Sequence, residues 1–278
     1  MPYNNDQYNN NQYNTNPNNP YNSNPYNNNP NNNQYGWQQP PPHELFPSLW
    51  GNQDELNRAT SSCLARVFMR MFVALLVTAA VSFGISQTPG LALYLATNPF
   101  LLIGVIIAQF ALVLILSFRV MKMSPAVSNV MFFFYAILTG VTLSFIFLAY
   151  TNATIFQAFA VSALMFAAMA IYGTITHRDL TRIGSLCFMG LIGIIIASVV
   201  NMFFLNDTVF MIINYIGVLI FVGLTAYDTQ RIKRMLAEAN ETNQEEAIKK
   251  ISVIGALILY LDFINLFLKI LHILGRRR

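Results

Sequence analysis

Charge is the scarcest feature of this sequence. Asp, Glu, Lys and Arg make up 10% of its 278 residues, against about 25% in a soluble globular domain. Hydrophobic residues make up 55% and the mean hydropathy is +0.45, which excludes a soluble enzyme and a collagen-like fibre. Cysteine is almost absent. Cys63 and Cys187 have no CxxC partner and no metal-ligand neighbour, so they read as two free thiols and exclude a disulfide scaffold. The three histidines, His43, His177 and His272, do not accompany a Gly-x-Ser-x-Gly string. A phosphate loop, a zinc-ligand spacing and a dinucleotide fingerprint are also missing, so the expectation is a non-enzyme without a cofactor. The opening MPYNNDQYNN lacks the basic patch and short apolar stretch of a secretory signal, which leaves the first long apolar run to direct insertion.

What is present is a polar tail followed by seven long apolar runs. Residues 1–42 are Asn/Tyr/Pro/Gln text with Tyr at 3, 8, 13, 21, 26 and 35. Such a segment has too little aliphatic surface to offset its ordering entropy, so a disordered tail is expected. Residues 43–66 read as an interfacial lead-in, with Leu49 and Trp50 at headgroup level and Asp54-Glu55 opening a short helix. The apolar runs cover about 67–87, 100–118, 127–150, 154–176, 183–205, 209–227 and 251–272. Each approaches the ~20 residues that a helix needs to cross ~30 Å of hydrocarbon. The fold class is therefore an all-α polytopic membrane protein with seven transmembrane helices over 67–272 and a basic end at 273–278.

The positive residues set an orientation. Arg58, Arg66 and Arg70 flank the first run, Arg119 and Lys122 follow the second, and Arg178 and Arg182 follow the fourth. Arg231, Lys233, Arg234, Lys249 and Lys250 lie between the sixth and seventh, whereas the loops after runs one, three and five carry no Lys or Arg. By the positive-inside rule, the N-terminus is expected in the cytoplasm. The net charge of +4 thus reflects topology, with the bilayer rather than nucleic acid as the partner. Seven crossings put Arg276-Arg277-Arg278 on the outer side, against the rule; either the last helix crosses all the same, which is the favoured reading, or it enters and returns.

Of 12 acidic residues, Asp228 and Asp262 are the two associated with apolar runs. A carboxylate at membrane depth costs several kcal/mol unless paired or hydrated, so by default it marks a functional site. Asp262 stands in GALILYLDFINLFLKIL, where helical spacing aligns Ser252, Gly255, Asp262, Asn265, Lys269 and His272 along one stripe. That stripe must face other helices or a watery cavity; a hydrogen-bond network that only holds the bundle is its structural alternative. Asp228 is expected at the end of the sixth helix, with Asn214, Gly217, Phe221 and Thr225 behind it on one face and Arg231 a turn ahead. An interfacial Asp228–Arg231 pair is the plain reading. Counted from the run starts, the two aspartates lie at different depths, about 29 Å and 16 Å, so bringing them together calls for tilt or for a site open to water.

The strings Gly-Leu-Thr-Ala-Tyr-Asp-Thr-Gln-Arg-Ile (223–232) and Leu-Tyr-Leu-Asp-Phe-Ile-Asn-Leu-Phe (259–267) resemble the Bax inhibitor-1 (transmembrane Bax inhibitor motif) family, over about residues 58–272. The resemblance implies six helices wrapped around a central seventh and a pH-sensitive calcium leak. It further implies a proton-sharing pair on helices 6 and 7, carried over here to Asp228 and Asp262, and a latching arginine late in helix 2, carried over by position to Arg119. Arg231, Asn265 and Lys269 are supporting candidates. Departures from the family pattern are the Asn-rich tail, a long helix 6–7 loop (Glu238 to Lys250) and the basic C-terminus. Two adjacent carboxyl groups in low dielectric share a proton and titrate in two steps, and Ca²⁺, which prefers carboxylate oxygens, competes for the same site.

Three rivals stand beside this reading. An intramembrane aspartyl protease also uses two aspartates, but it carries Gly-x-Gly-Asp, and here bulky Leu259-Tyr260-Leu261 precede Asp262. A non-catalytic regulator of another membrane protein, such as a protease modulator or a cell-death suppressor, needs no ion flux. A proton-coupled solute carrier would use the same pair. The membrane expected is the bacterial inner membrane in preference to the endoplasmic reticulum.

Overall fold

Inside hydrocarbon a backbone must satisfy its own hydrogen bonds, so long apolar runs become helices. The computed structural model describes residues 47–88, 90, 94, 97–242 and 244–275, with side chains from Asp54 onward. The polar tail, residues 43–46 of the lead-in, the side chains of Leu49 and Trp50, and Arg276 to Arg278 lie outside the described residues. Among the described residues there is no strand, and seven helices are long and apolar enough to cross a membrane. They are α1 (Pro47–Ser86), α2 (Pro99–Arg119), α3 (Pro125–Leu143), α4 (Asn152–Ile175), α5 (Thr181–Phe204), α6 (Asp207–Glu241) and α7 (Glu245–Leu274). The protein is a multi-pass helical membrane protein.

Local chemistry sets most of the ends. Pro99 and Pro125 stand at the first helical positions of α2 and α3, where a missing N–H costs nothing. Ser124 Oγ accepts from Val127 N, Thr151 Oγ1 from Thr154 N and Asn206 Oδ1 from Val209 N, capping α3, α4 and α6. The third apolar run is not one helix. Thr139, Thr142 and Ser144 all donate back to carbonyls of their own preceding turns, a pattern that bends helices; the run turns at Ser144 and resumes as the short helical segment Ile146–Ala149.

Two boundaries differ from the sequence reading. The lead-in is not a separate helix, because α1 runs without interruption from Pro47 to Ser86. Helix 6 does not end near Asp228 but continues to Glu241, and α7 begins at Glu245. The long loop expected from Glu238 to Lys250 is thus only a few residues. Hydropathy marks the apolar length of a helix, whereas the segment beyond it is rich in Arg, Lys, Met, Leu, Ala and Glu, all good helix formers.

Residues from Ser48 onward form one compact unit, in which α7 is the most enclosed helix. Within its apolar window 61% of residues are buried, against 6% for α2. It packs on α3, α4 and α6. Tyr260 Oη and Thr78 Oγ1 hydrogen-bond at 2.7 Å, and Thr78 donates onward to the Ala136 carbonyl, joining α1, α3 and α7. Phe132 and Tyr135 meet the same Tyr260 ring edge-on, with centroids 5.9 Å away. One turn along α7, Phe159 and Phe166 of α4 stack edge-to-face on Phe263. Between helices in lipid the drive is packing and hydrogen bonding rather than the hydrophobic effect, and these ring contacts and the Thr78 bridge supply both.

The basic loops gather at one end of the bundle. Lys250 donates to the Met121 carbonyl, Lys233 to the Thr174 carbonyl, and Arg234 pairs with Asp179 at 2.7 Å. Asn240 near the end of α6 reaches Thr60 and Cys63 of α1. The connections after α2, α4 and α6 therefore share one end with the start of α1.

Candidate functional site

Antiparallel packing of α6 and α7 settles the depth of the two aspartates. Measured from the connection that joins these helices, Asp228 lies about 20 Å from Glu241 and Asp262 about 26 Å from Glu245, at 1.5 Å per residue. The offset is about one helical turn, well within the reach of two side chains. The earlier mismatch came from ending helix 6 at Asp228.

Asp228 and Asp262 are brought together. Their carboxyl groups are within hydrogen-bonding range of each other, and Arg231 acts on Asp228 electrostatically from the next turn of α6. The two residues are 9% and 6% exposed. Oδ2 of Asp262 is buried and has no hydrogen-bond donor among the described residues. A carboxyl–carboxyl contact is a hydrogen bond only when a proton lies between the oxygens, because an ionised carboxylate can only accept. The geometry is that of a pair able to share one proton.

The pair lines a cavity of about 510 Å³ between α5, α6 and α7. Thr181, Gly184, Ser185, Phe188 and Leu191 form its α5 wall, and Ile258, Leu261 and Asn265 line it from α7. Close approach of α5 to α6 requires glycine, since a Cβ on Gly184 would enter the Tyr227 ring.

The other candidates divide. Arg231 and Asn265 line the cavity, and the Asn265 amide donates to the Leu261 carbonyl at 2.8 Å. Lys269 does not line it; its methylene chain packs over Gly217 of α6, two turns along α7 from Asp262. Arg119 is exposed at the end of α2 and is not brought to the pair. The physical reason is that α2 is the least buried span and contributes nothing to the cavity wall; the arginine beside the pair is Arg231, on α6 itself.

Sequence reasoning missed the α5 wall and the part played by Gln230. This side chain is 7% exposed and uses both ends of its amide. Its Oε1 accepts from Leu180 N at 3.1 Å and from Arg234 Nη2 at 2.9 Å, while Nε2 donates to the Arg178 carbonyl at 2.8 Å and the Thr176 carbonyl at 3.4 Å. The available signal was a glutamine within a motif otherwise read only for its aspartate.

Fold and site together define a multi-pass helical membrane protein with an interior acidic pair beside a cavity. Residues 60–278 match the family model described as inhibitor of apoptosis-promoting Bax1. The inner membrane protein YbhL of Escherichia coli is 48% identical over 215 residues, covering 77% of this chain and 92% of YbhL. An uncharacterized protein of Borreliella burgdorferi is 42% identical over the same length, with the same coverage. An uncharacterized membrane protein of Streptococcus pyogenes is 42% identical over 182 residues, covering 66% of this chain and 77% of that protein. The chain belongs to the Bax inhibitor-1 family.

Proposed function

We propose that this protein is a pH-sensitive Ca²⁺ leak of a bacterial inner membrane, gated by protonation of the Asp228–Asp262 pair. The observation that carries the reading is the contact between two buried carboxyl groups at the wall of a cavity. When the shared proton leaves, two carboxylates face the same space, and a hard divalent cation is the natural counter-charge. Asn265, Thr181 and Ser185 supply neutral side-chain oxygens to that cavity. Ca²⁺ takes 6–8 oxygen ligands, so water must complete its shell, which suits brief occupancy during passage better than storage. Protons and Ca²⁺ then compete for one site. The end carrying the basic loops faces the cytoplasm under the positive-inside rule, so the N-terminus is cytoplasmic.

The test is Ca²⁺ uptake into proteoliposomes holding the purified protein, followed across pH beside Asp228→Asn and Asp262→Asn. The proposal expects flux above that of empty liposomes, a pH dependence in the wild type and a flattened one in both variants. Flux no greater than in empty liposomes at every pH would refute it and favour a regulator of another membrane protein. Counterflow of a small solute would favour a carrier.

A further inference from the structure

The stretch of α6 that presents Asp228 to the cavity also holds the α4–α5 connection. Besides the four hydrogen bonds of Gln230, Lys233 donates to the Thr174 carbonyl at 2.8 Å, and Arg234 pairs with Asp179. Thr181, the first residue of α5, lies directly beyond this connection and lines the cavity; Gly184 and Ser185 follow within one turn. Farther along, α5 and α6 meet by surface fit, through Gly184 beside Tyr227, Gly223 beside Cys187 and Gly190 beside Ile220, until Asn206 N donates to Asn201 Oδ1 where α5 passes into α6. In lipid such fits gain nothing from the hydrophobic effect, so the polar ties at the helix end carry a large share of the α5–α6 alignment.

We infer that Gln230 is a positioning residue for the acidic pair: by tying residues 176–180 to α6 it holds the start of α5 as the cavity wall and limits access of water to Asp228. This deepens the proposed function and rests on it only where ion flux is read. Gln230 suits the task because its amide offers a donor and an acceptor at once. One side chain thereby meets the Leu180 N–H and the Arg178 and Thr176 carbonyls, backbone groups left over where α4 ends and α5 begins. Replacing it by an apolar residue leaves these groups unpaired at a buried position, and the loop then gains more by turning to water than by staying on α6. A glutamate keeps the acceptor for Leu180 N–H and Arg234 but sets an oxygen against the two carbonyls, so it restores half of the tie.

The experiment reads the cavity directly. Leu224 is buried on the cavity wall one turn before Asp228, and Met235 lines a different cavity beside α7. Single probes Leu224→Cys and Met235→Cys are made in a Cys63→Ser, Cys187→Ala background. Their modification by a water-soluble methanethiosulfonate is timed in liposomes. Gln230→Met, which keeps the length of the side chain, should speed labelling at the Leu224 probe by roughly tenfold, as loss of buried hydrogen bonds implies. The Met235 probe should not change, and Gln230→Glu should fall between. Unchanged labelling at the Leu224 probe, or equal acceleration at both probes, overturns the inference. If Gln230→Met does not yield folded protein, the Gln230→Glu comparison decides on the same criterion. In liposomes that conduct Ca²⁺, Gln230→Met should also move the pH of half-maximal flux; an unmoved pH with an opened cavity overturns the positioning role. Absence of flux in the wild type refutes the Ca²⁺ proposal but leaves the labelling result to decide the role of Gln230.

Discussion

Neutralising the two aspartates singly and together separates a shared site from two independent ones. With both groups ionised about 4 Å apart at an effective dielectric constant of 20, their repulsion is about 4 kcal/mol. That is roughly a thousandfold penalty on the doubly charged pair relative to isolated groups. Their burial at 9% and 6% exposure keeps solvent from screening most of it. Asp228→Asn or Asp262→Asn abolishes the whole repulsion, because it exists only while both groups are charged and either change removes it. A second change then has no repulsion left to remove. We therefore expect each single variant to flatten the pH dependence of Ca²⁺ flux, and the double variant to match the stronger single one. In a double-mutant cycle the coupling should exceed about 1 kcal/mol, above the few tenths seen for independent sites. The assay is initial Ca²⁺ uptake into proteoliposomes at a series of pH values, normalised to the amount of folded protein. Single effects that multiply in the double variant, or a wild-type pH dependence in either single variant, would refute the shared site and return Asp228 to a simple pair with Arg231.

Three further outcomes are expected. Single cysteines at Asn98 and Lys122, in a background lacking Cys63 and Cys187, should be labelled from opposite sides of the membrane; labelling from the same side would overturn the orientation. Gly184→Leu should lower the Tm in detergent by the equivalent of about 1–3 kcal/mol, the usual cost of overpacking, because its Cβ meets the Tyr227 ring. Gly193→Leu on the same helix has open space and should leave the Tm unchanged. Asp179 is held down to about 2, first by the Thr181 hydroxyl and then by Arg234. A depressed carboxyl stabilises above its ordinary value and loses that contribution as pH falls through the folded one, so the Tm difference between wild type and Asp179→Asn should be small, constant near neutral pH, and vanish between pH 3.8 and about 2.

The apolar runs, the alternation of basic loops and the isolation of Asp228 and Asp262 among the acidic residues were all legible in the sequence. These follow from local rules, since a span must be long and apolar and a charge at that depth needs a reason. Sequence periodicity also placed Asn265 on the face of Asp262, and Asn265 does line the cavity. It could not say where α6 ends, because helix propensity carries the backbone past the continuous apolar run to Glu241. That boundary alone turned a depth mismatch into a match. Nor could it choose between Arg119 and Arg231, since the choice depends on which helix walls the cavity, and α5 rather than α2 does so. The grip of Gln230 on the 176–180 connection joins groups about fifty residues apart in the chain, and no local pattern marks a contact of that kind. Composition and periodicity report what a residue requires of its surroundings; only the packing of α5, α6 and α7 decides which partner meets the requirement.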